Sequence, residues 1–168
     1  MLRKSTFTTA AMLSGVAGVL ALAGTGGSVA TSGSQTLPGD GVVRVESAYG
    51  FEDTVTRLKA DVESKGIMWF GVIEQSKLAA AAGIALDPST LVVFGNPGLG
   101  NRFLTSNPSA GLDWPVRLLV TRDGAGKVWA HYTDFRWIAD RHRIRDRDAE
   151  FRKAAEVIGS ITASVARK

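Results

Sequence analysis

The segment Phe51–Lys65 constrains the fold most, because its apolar residues lie on only one side of a helix. Four of them recur at helical spacing: Phe51, Val55, Leu58 and Val62. Such a stripe predicts an amphipathic helix that must pack on another layer of structure, and a sheet is a suitable one. Glu52 lies in the first turn of the predicted helix, where the helix dipole favours negative charge. Gly66 follows its last residue, which is a common position for a helix to stop.

Strand patterns precede and follow this helix. Val42–Ser47 alternates apolar and polar residues, and so does Val116–Arg122. A turn at Asp123–Gly126 joins the latter to Lys127–Tyr132 as a hairpin. The apolar run Leu91–Phe94 predicts a further strand.

A second helical stripe closes the chain within Asp148–Val165. Its expected buried residues are Phe151, Ala155, Ile158, Thr162 and Val165, and Asp146 or Asp148 is expected to cap its start. The resulting order is strand, helix, four strands and helix. It predicts the α+β class, a β-α-β4-α arrangement in which helices pack on one face of an antiparallel sheet.

The strand predicted at Ile67–Glu74 is apolar on both faces. Ile67, Trp69 and Ile73 alternate along it with Met68, Phe70 and Val72. One face is expected to cover the helices. The other needs a ligand or a second subunit, unless this is a central strand that its own chain covers.

The first thirty residues resemble a secretory leader. Arg3 and Lys4 precede an uncharged apolar run, Ala10–Ala23, and Ser28–Ala30 supplies small residues typical of a cleavage site. Residues 1–30 are therefore predicted to be a Sec-type signal peptide, with a periplasmic or secreted product and no stable membrane span after cleavage. An uncleaved anchor is the alternative, although the run is shorter than the roughly 20 residues that a spanning helix needs.

The rest of the chain is predicted to be a single domain, residues 41–168, after a flexible tether at 31–40 that is rich in Ser, Gly, Thr and Pro. No cysteine occurs, which excludes disulfides, thiolate chemistry and cysteine-ligated zinc. An exported domain of this kind must rest on its hydrophobic core.

The charge of the chain gives little reason to expect a polyanionic partner. The formal net charge is +4, from 20 basic and 16 acidic residues, and Arg3 and Lys4 contribute two of the positive charges. Arginines near Arg141–Arg152 alternate with acidic residues, which favours a solvated, salt-bridged surface. We expect no nucleic-acid partner.

Several short blocks of sequence occur in the order typical of one family. They are Phe94–Pro97, Gly100, Pro108, Ala110–Pro115, Gly126–Trp129, Tyr132–Asp134 and Arg141–His142. Together with the opening helix at Phe51–Val55, they resemble the domain-of-unknown-function family DUF302 over Val42–Ser164. The resemblance implies a fold similar to that of the TATA-binding protein and a chain that pairs as a homodimer. The biochemical role of the family is not established.

The stretch Thr90–Pro115 resembles a small-molecule site. The run Gly95–Asn101 is predicted to be a loop, followed by a short helical piece at Arg102–Ser106. Asn96 and its glycines present backbone N–H groups to an anion in one interpretation. In the favoured one, the loop needs positive φ angles and a turn-stabilising Asn side chain.

Asp113 and Asp134 are candidates for paired carboxylates in acid–base chemistry. The structural interpretation is favoured: Asp113 fastens a turn, and Asp134 caps the helical turn expected around Trp137–Arg141. Neither a G-x-S-x-G motif nor a cysteine supplies a nucleophile.

The two histidines are His131 and His142, and their spacing fits no metal-ligand motif. His142 is the better functional candidate because it recurs in the family resemblance. A hydrogen-bonded structural role is favoured over a metal or haem role. No metal ligand is assigned, and the cofactor is unknown.

One interpretation of the aromatic side chains is a pocket for a flat or apolar ligand. The favoured interpretation is ordinary packing in the core or at an interface. The group comprises Trp69, Trp114, Trp129, Trp137 and Tyr132.

Three functional hypotheses follow. The first is an exported, non-enzymatic dimer that binds a small ligand; its predicted ligand-binding residues are Asn96, Asp113, Tyr132, Asp134 and His142. The second is a hydrolase that uses Asp113 or Asp134 as base together with His142. The third is a structural envelope dimer without a pocket. The first is favoured, and no catalytic residue is assigned.

Overall fold

A computed structural model describes residues 35–36 and 39–167 of the chain. The predicted signal peptide and most of the predicted tether lie outside the described residues. Two residues of the tether segment, Gln35 and Thr36, form a short strand that pairs with Arg44 and Val43.

A single six-stranded sheet forms the centre of the described fold, in the order β1-β2-β6-β5-β4-β3. Every neighbouring pair is antiparallel. The strands are β1 (Gln35–Thr36), β2 (Val42–Glu46), β3 (Met68–Ile73), β4 (Ser89–Gly95), β5 (Val116–Arg122) and β6 (Val128–Thr133). The hairpin predicted at Asp123–Gly126 is confirmed, since β5 and β6 pair across it.

Five α-helices accompany the sheet in the described residues: α1 (Phe51–Ser64), α2 (Gln75–Ala81), α3 (Pro97–Ser106), α4 (Phe135–Arg141) and α5 (Asp148–Ala163). A 3₁₀ helix at Pro108–Leu112 joins α3 to β5. The predicted α+β class, with an antiparallel sheet and helices packed against it, is confirmed.

The core lies between one face of the sheet and the two long helices. The strands contribute alternating buried residues, including Val43, Val92, Phe94, Leu118 and Ala130. Leu58 and Val62 of α1 and Ile158 and Ile161 of α5 face them, each no more than 2% exposed. A fully buried side chain of this kind contributes about 1.5–3 kcal/mol, so this one-sided layer accounts for the position of both helices.

The buried stripe of α5 differs in part from the prediction. Phe151, Ile158 and Thr162 are buried as expected, but Ala155 is exposed and Ala154 takes its place. Residue 154 follows Phe151 by three and precedes Ile158 by four, so the same helical face passes through it. The predicted aspartate cap is wrong: Arg147 occupies the N-cap position without a side-chain hydrogen bond, and Asp148 is the first helical residue.

Strand β3 lies at the edge of the sheet, which rules out the central-strand alternative. Its apolar side chains are exposed: Met68 by 52%, Phe70 by 46%, Val72 by 46% and Ile73 by 45%. The register shifts between Trp69 and Gly71, where Gly71 has a φ of 146°. Such a bulge adds one residue to the strand, so Val72 shares a face with Trp69, and Ile73 lies on the opposite face, contrary to the predicted alternation.

Candidate functional site

The site begins where β4 runs directly into α3. Asn96 is the N-cap of α3, and its Oδ1 accepts a hydrogen bond from the backbone N–H of Leu99 at 3.2 Å. Pro97 occupies the first helical turn, where its missing N–H costs nothing. The predicted loop at Gly95–Asn101 is therefore wrong, because α3 begins at Pro97 and not at Arg102. Two glycines in a first turn resemble a loop in sequence, since glycine is a poor helix former.

Close packing explains the glycines better than backbone conformation does. A Cβ atom on Gly100 would lie 1.7 Å from Nε1 of Trp114, and one on Gly95 would lie 3.2 Å from the same atom. Neither residue, nor Gly98, has a positive φ angle, so the expectation of left-handed backbone is wrong. The glycines let the indole of Trp114 lie against β4 and α3.

Two amide groups of the predicted anion nest already have acceptors. The N–H groups of Leu99 and Gly100 donate to the carbonyl oxygen of Asn96 at 3.1 and 2.8 Å. These are ordinary bonds of a helical first turn. Asn96 therefore has the structural role of the favoured interpretation, but its side chain caps a helix and does not stabilise a turn.

A cavity of about 710 Å³ opens between the C-terminal ends of α1 and β4, helix α3 and helix α5. We call it the α3–α5 cavity. Apolar side chains form most of its wall: Ile67, Phe94, Leu99, Phe103, Trp114, Val116, Phe135, Ala154, Val157 and Ile158. Polar residues at its border are Lys65, Asn96, Lys153, Glu156 and Ser160. The volume lies within the roughly 300–1,000 Å³ typical of small-molecule sites.

A second group of residues, the Asp113 cluster, consists of Ser109, Asp113, Arg117, Arg141 and His142. Asp113 is 8% exposed, and its carboxylate accepts hydrogen bonds from Arg117 at 3.0 Å and from Arg141 at 3.1 Å. Arg117 also donates to the carbonyl of Leu112 at 2.6 Å. The carboxylate thus fixes both arginines beside the start of β5.

His142 completes the cluster from the end of α4. Its Nε2 lies 2.6 Å from Oδ2 of Asp113, and its Nδ1 lies 3.2 Å from Oγ of Ser109. Since an ionised carboxylate only accepts hydrogen bonds, Nε2 carries the proton. His142 is 5% exposed, and its carbonyl accepts a bond from Asn107 Nδ2 at 2.8 Å.

Ser109 was not predicted from the sequence. Asn107 caps the 3₁₀ helix and places Ser109 in its first turn, where Oδ1 of Asn107, 2.8 Å from Oγ, is an acceptor for the single hydroxyl proton of Ser109. Ser109 is exposed, and it lines neither of the two cavities described for this part of the chain. No local motif marks its contact with His142, because the two residues are 33 positions apart in the sequence.

The Asp113 cluster and the α3–α5 cavity are neighbours. Val116 and Phe135 line the cavity, and they also line a cleft of about 10 Å³ beside Asp113 and Arg117. A space of that size accommodates at most about one water molecule. The cluster therefore supports the wall of the cavity and offers no room for a ligand of its own.

Asp134 lies apart from Asp113 and has different partners. It caps α4 by accepting a bond from the N–H of Arg136 at 2.7 Å, and its carboxylate pairs with the Arg136 guanidinium at 3.0 Å. Burial acts to raise the pKa of Asp134, but the hydrogen bonds and charge of Arg136 outweigh it, and the pKa is lowered. The predicted capping role is confirmed, and no bond joins the two carboxylates.

The other two predicted candidates lie on β6. Tyr132 is half-buried opposite Val43 and Leu118, on the core face of the sheet. His131 lies on the opposite face, where its Nε2 is 2.8 Å from Oγ1 of Thr121. Burial, and then the charge of Arg44, lower the pKa of His131.

Of the five predicted ligand-binding residues, Asp113 and His142 are hydrogen-bonded to each other. Asn96 alone contributes to the α3–α5 cavity. Of the aromatic group, Trp114 lines the cavity, whereas Trp69 and Trp137 pack against the core and Trp129 donates its N–H to Asp123 at 2.9 Å. Sequence reasoning missed the cavity because its lining comes from five separate elements, β4, α3, β5, α4 and α5, and from connecting residues such as Lys65 and Trp114.

Residues 35–36 and 39–167 contain no group of three or more His, Cys, Asp and Glu side chains that could hold a metal ion. Within the same ranges, no helix is both long enough and apolar enough to cross a membrane.

Comparison with known proteins gives a family model and a solved structure that agree. The model described as "Domain of unknown function DUF302" matches residues 43–165. A crystal structure of an uncharacterized conserved DUF302 protein from Bacillus stearothermophilus has a similar fold, with a TM-score of 0.69 and 14% sequence identity. The similarity covers 75% of this chain and 98% of that chain. At this identity it indicates the fold alone.

Curated relatives match a shorter part of the chain. A protein named fluoride-specific ion channel FluC 1 from Brucella suis is 38% identical over 104 residues, which is 62% of this chain and 41% of that protein. The protein of the same name from Brucella abortus is also 38% identical, over 38% of its own length. The chain thus spans about two fifths of the length of the curated relatives it matches.

Proposed function

Because this chain belongs to the DUF302 family, whose description assigns no activity, we propose from its geometry that it is an exported, non-enzymatic module that binds a small, largely apolar molecule. The α3–α5 cavity carries this proposal. It is of ligand size, and its walls are apolar or aromatic with a few polar groups at the border, which is the usual composition of a binding site.

The predicted site residues take different parts in this proposal. Asn96 lies at the border of the cavity and supplies a polar contact to the ligand. Asp113 and His142 are positioning residues, since they hold the chain on both sides of the wall residue Trp114 and at the end of α4. Tyr132 and Asp134 lie outside the cavity lining, and we assign them no ligand contact.

Export and dimerisation complete the proposal. The leader pattern at residues 1–30 supports export. The exposed edge strand β3 supports dimerisation, because its backbone edge is unpaired within the described residues and its side chains Met68, Phe70, Val72 and Ile73 are exposed. A long apolar edge strand is a ready site for pairing with another chain. A second copy pairing β3 with β3 would cover both features.

The Brucella relatives carry the name of a fluoride channel, but most of each of those proteins lies outside the matched segment. We therefore assign the proposed function to the domain alone and do not include ion conduction.

Native mass spectrometry of the protein purified after export tests all three parts together. We expect a chain shortened near Ala30, a dimeric mass and retained small molecules. A full-length chain would contradict signal cleavage, and a monomer would contradict dimerisation through β3.

Binding in the cavity is tested with the neutral fluorophore N-phenyl-1-naphthylamine. Val157→Trp places a large side chain on the half-buried wall of the cavity, so we expect it to abolish the fluorescence increase. Ala155→Trp is the matched control, because Ala155 is exposed on the same helix and outside the cavity lining. No binding by the parent protein, or equal loss in both variants at unchanged stability, would contradict the proposal.

A hydrolase is the second candidate, and one observation favours it. Ser109, His142 and Asp113 form a hydrogen-bonded chain of the kind that activates a serine nucleophile. It ranks second because Ser109 lies outside both described cavities and because Asn107 competes for its proton. Asp113 is also bonded to two arginines.

Ser109→Ala decides this second candidate. A hydrolase predicts release of p-nitrophenol from p-nitrophenyl acetate, covalent labelling of Ser109 by a fluorophosphonate, and loss of both in the variant. Thr121→Ala is the control, since Thr121 also bonds a histidine, His131, but no carboxylate is bonded to that ring. Equal activity in both variants and the parent would exclude Ser109 as a nucleophile.

A further inference from the structure

We propose that the α3–α5 cavity takes an amphipathic anion, a fatty carboxylate whose alkyl chain lies among the aromatic residues and whose carboxylate lies at the border between Lys65 and Lys153. This inference rests on the proposed function of the same cavity and specifies the chemical class of its ligand.

The interior of the cavity requires an apolar ligand body. Its deepest residues include Phe94, Phe103, Phe135 and Ile158, each no more than 5% exposed. No polar side chain accompanies them; the polar lining residues Lys65, Asn96, Lys153, Glu156 and Ser160 are all exposed. A polar group placed among the aromatic residues would lose its hydrogen bonds to water without replacement. An alkyl chain or a similar hydrocarbon satisfies this condition.

Two of the three charged side chains that line the border of the cavity are lysines, and each of them pairs with a carboxylate. Lys65 and Lys153 lie there with a single carboxylate, that of Glu156. The Lys153–Glu156 pair spans 3.6 Å, and both side chains are more than half exposed, so this pair holds Lys153 weakly. Lys65 is fixed at the end of α1 by Asp61 at 2.6 Å, and Asp61 does not line the cavity. One ammonium is thus pre-positioned and the other is free to move toward an anion.

Helix α3 adds positive potential at the same border. Its cap Asn96 and first-turn residue Gly98 line the cavity, so the N-terminal end of the helix lies there. The first turns of α1 and α5 contain acidic residues, whereas the first turn of α3 contains none. The start of α3 therefore has the Asn96 amide as its cap but no acidic side chain in its first turn to offset the partial positive charge.

These observations together favour one headgroup. A cationic headgroup would be repelled by two lysines and a helix N-terminus, and a neutral headgroup would gain no attraction from their positive potential. A carboxylate at the border is attracted by all three groups while remaining in contact with water, which keeps its desolvation cost low. The hydrocarbon chain then contributes the rest of the affinity through burial.

Competition against N-phenyl-1-naphthylamine distinguishes the contribution of the headgroup to affinity from that of the hydrocarbon chain. Octanoate, dodecanoate and hexadecanoate are compared with the alcohol and the methyl ester of the same chain, all below their micelle concentrations. We expect the carboxylate to displace the probe at about tenfold lower concentration than its neutral analogues. The difference should shrink as salt is added, because the headgroup lies in water.

Lysine variants then locate the headgroup. Lys65→Met and Lys153→Met together should remove the preference for the carboxylate, measured within the variant as the ratio of the displacing concentrations of the neutral analogue and the carboxylate. Methionine keeps much of the aliphatic length of lysine. Lys77→Met is the matched control, because Lys77 is an exposed lysine on α2 that pairs with Glu74 and does not line the cavity. Glu156→Gln should increase the preference, because it removes the one carboxylate at the border.

The outcomes distinguish the two proposals. Probe binding with equal displacement by carboxylate, alcohol and ester would overturn the fatty-carboxylate assignment and leave the cavity as a site for neutral apolar molecules. Absence of probe binding would overturn the proposed function itself. A carboxylate preference that survives both lysine substitutions would also overturn the assignment, since the headgroup would then lie elsewhere.

Discussion

The Asp113 cluster and the α3–α5 cavity share the residues Val116 and Phe135 but are opposite in chemistry. In the cluster, a buried carboxylate is surrounded by hydrogen-bond donors, and almost no space remains beside it. In the cavity, about 710 Å³ of space lies against apolar walls. The polar residues of the Asp113 cluster are thus bonded into the scaffold, and the space large enough for a small molecule lies among apolar residues.

The energetics of the two regions differ for the same reason. A buried ion pair contributes little net stability when intact, because desolvation offsets the attraction, but removal of one partner leaves charges uncompensated. An apolar wall gains from contact and loses most when a side chain is forced into it or removed from it. One substitution in each region probes this contrast, and a third, at Asp134 outside both regions, supplies an ion pair for comparison.

The largest effect is expected from Asp113→Ala. The substitution leaves the buried ring of His142 without its acceptor and separates Arg117 and Arg141 from theirs. We expect the free energy of unfolding to fall by about 3 kcal/mol or more, measured by urea denaturation. A loss no larger than that of an exposed ion pair would contradict the central role of Asp113 in the scaffold.

Gly100→Ala is expected to come next, because its new Cβ would overlap the Trp114 indole at 1.7 Å. Trp114 must move, and overpacking of this kind costs about 2 kcal/mol. Gly111→Ala is the control, since its Cβ would meet Leu104 at an ordinary 3.8 Å. The readouts are urea denaturation and probe binding. Unchanged binding in Gly100→Ala would show that Trp114 does not shape the cavity.

Asp134→Asn should have the smallest effect. Asparagine retains the helix cap, so only the pair with the largely exposed Arg136 is lost. Because the pKa of Asp134 is lowered in the folded protein, its ionised form contributes stability that is fully present above the ordinary value of about 3.8 and is lost as the pH falls through the lowered pKa. The variant should be less acid-sensitive in that window and nearly unchanged at neutral pH, measured by denaturation across pH. An acid sensitivity equal to that of the parent would assign the effect to other carboxylates.

Most of the correct fold predictions depend on local sequence patterns. The stripe of α1, the hairpin between β5 and β6 and the cap at Asp134 depend on residues close together in sequence, and each was predicted correctly. The start of α3 was not, because Gly100 is required by its contact with Trp114, 14 residues further along the chain. The predicted assignment of side chains to the two faces of β3 was also wrong, because a bulge at Gly71 shifts the register.

Sequence patterns alone predict the α+β class, the positions of the two long helices and the apolar character of Ile67–Glu74, because hydrophobic periodicity is a property of neighbouring residues. The tertiary structure was needed to show that β3 lies at an edge and that Ser109 meets His142. It also showed that residues of β4, α3, β5, α4 and α5, together with the connecting residues Lys65, Ile67 and Trp114, enclose a cavity. These features arise from contacts between distant segments, and the space between segments leaves no pattern in the chain.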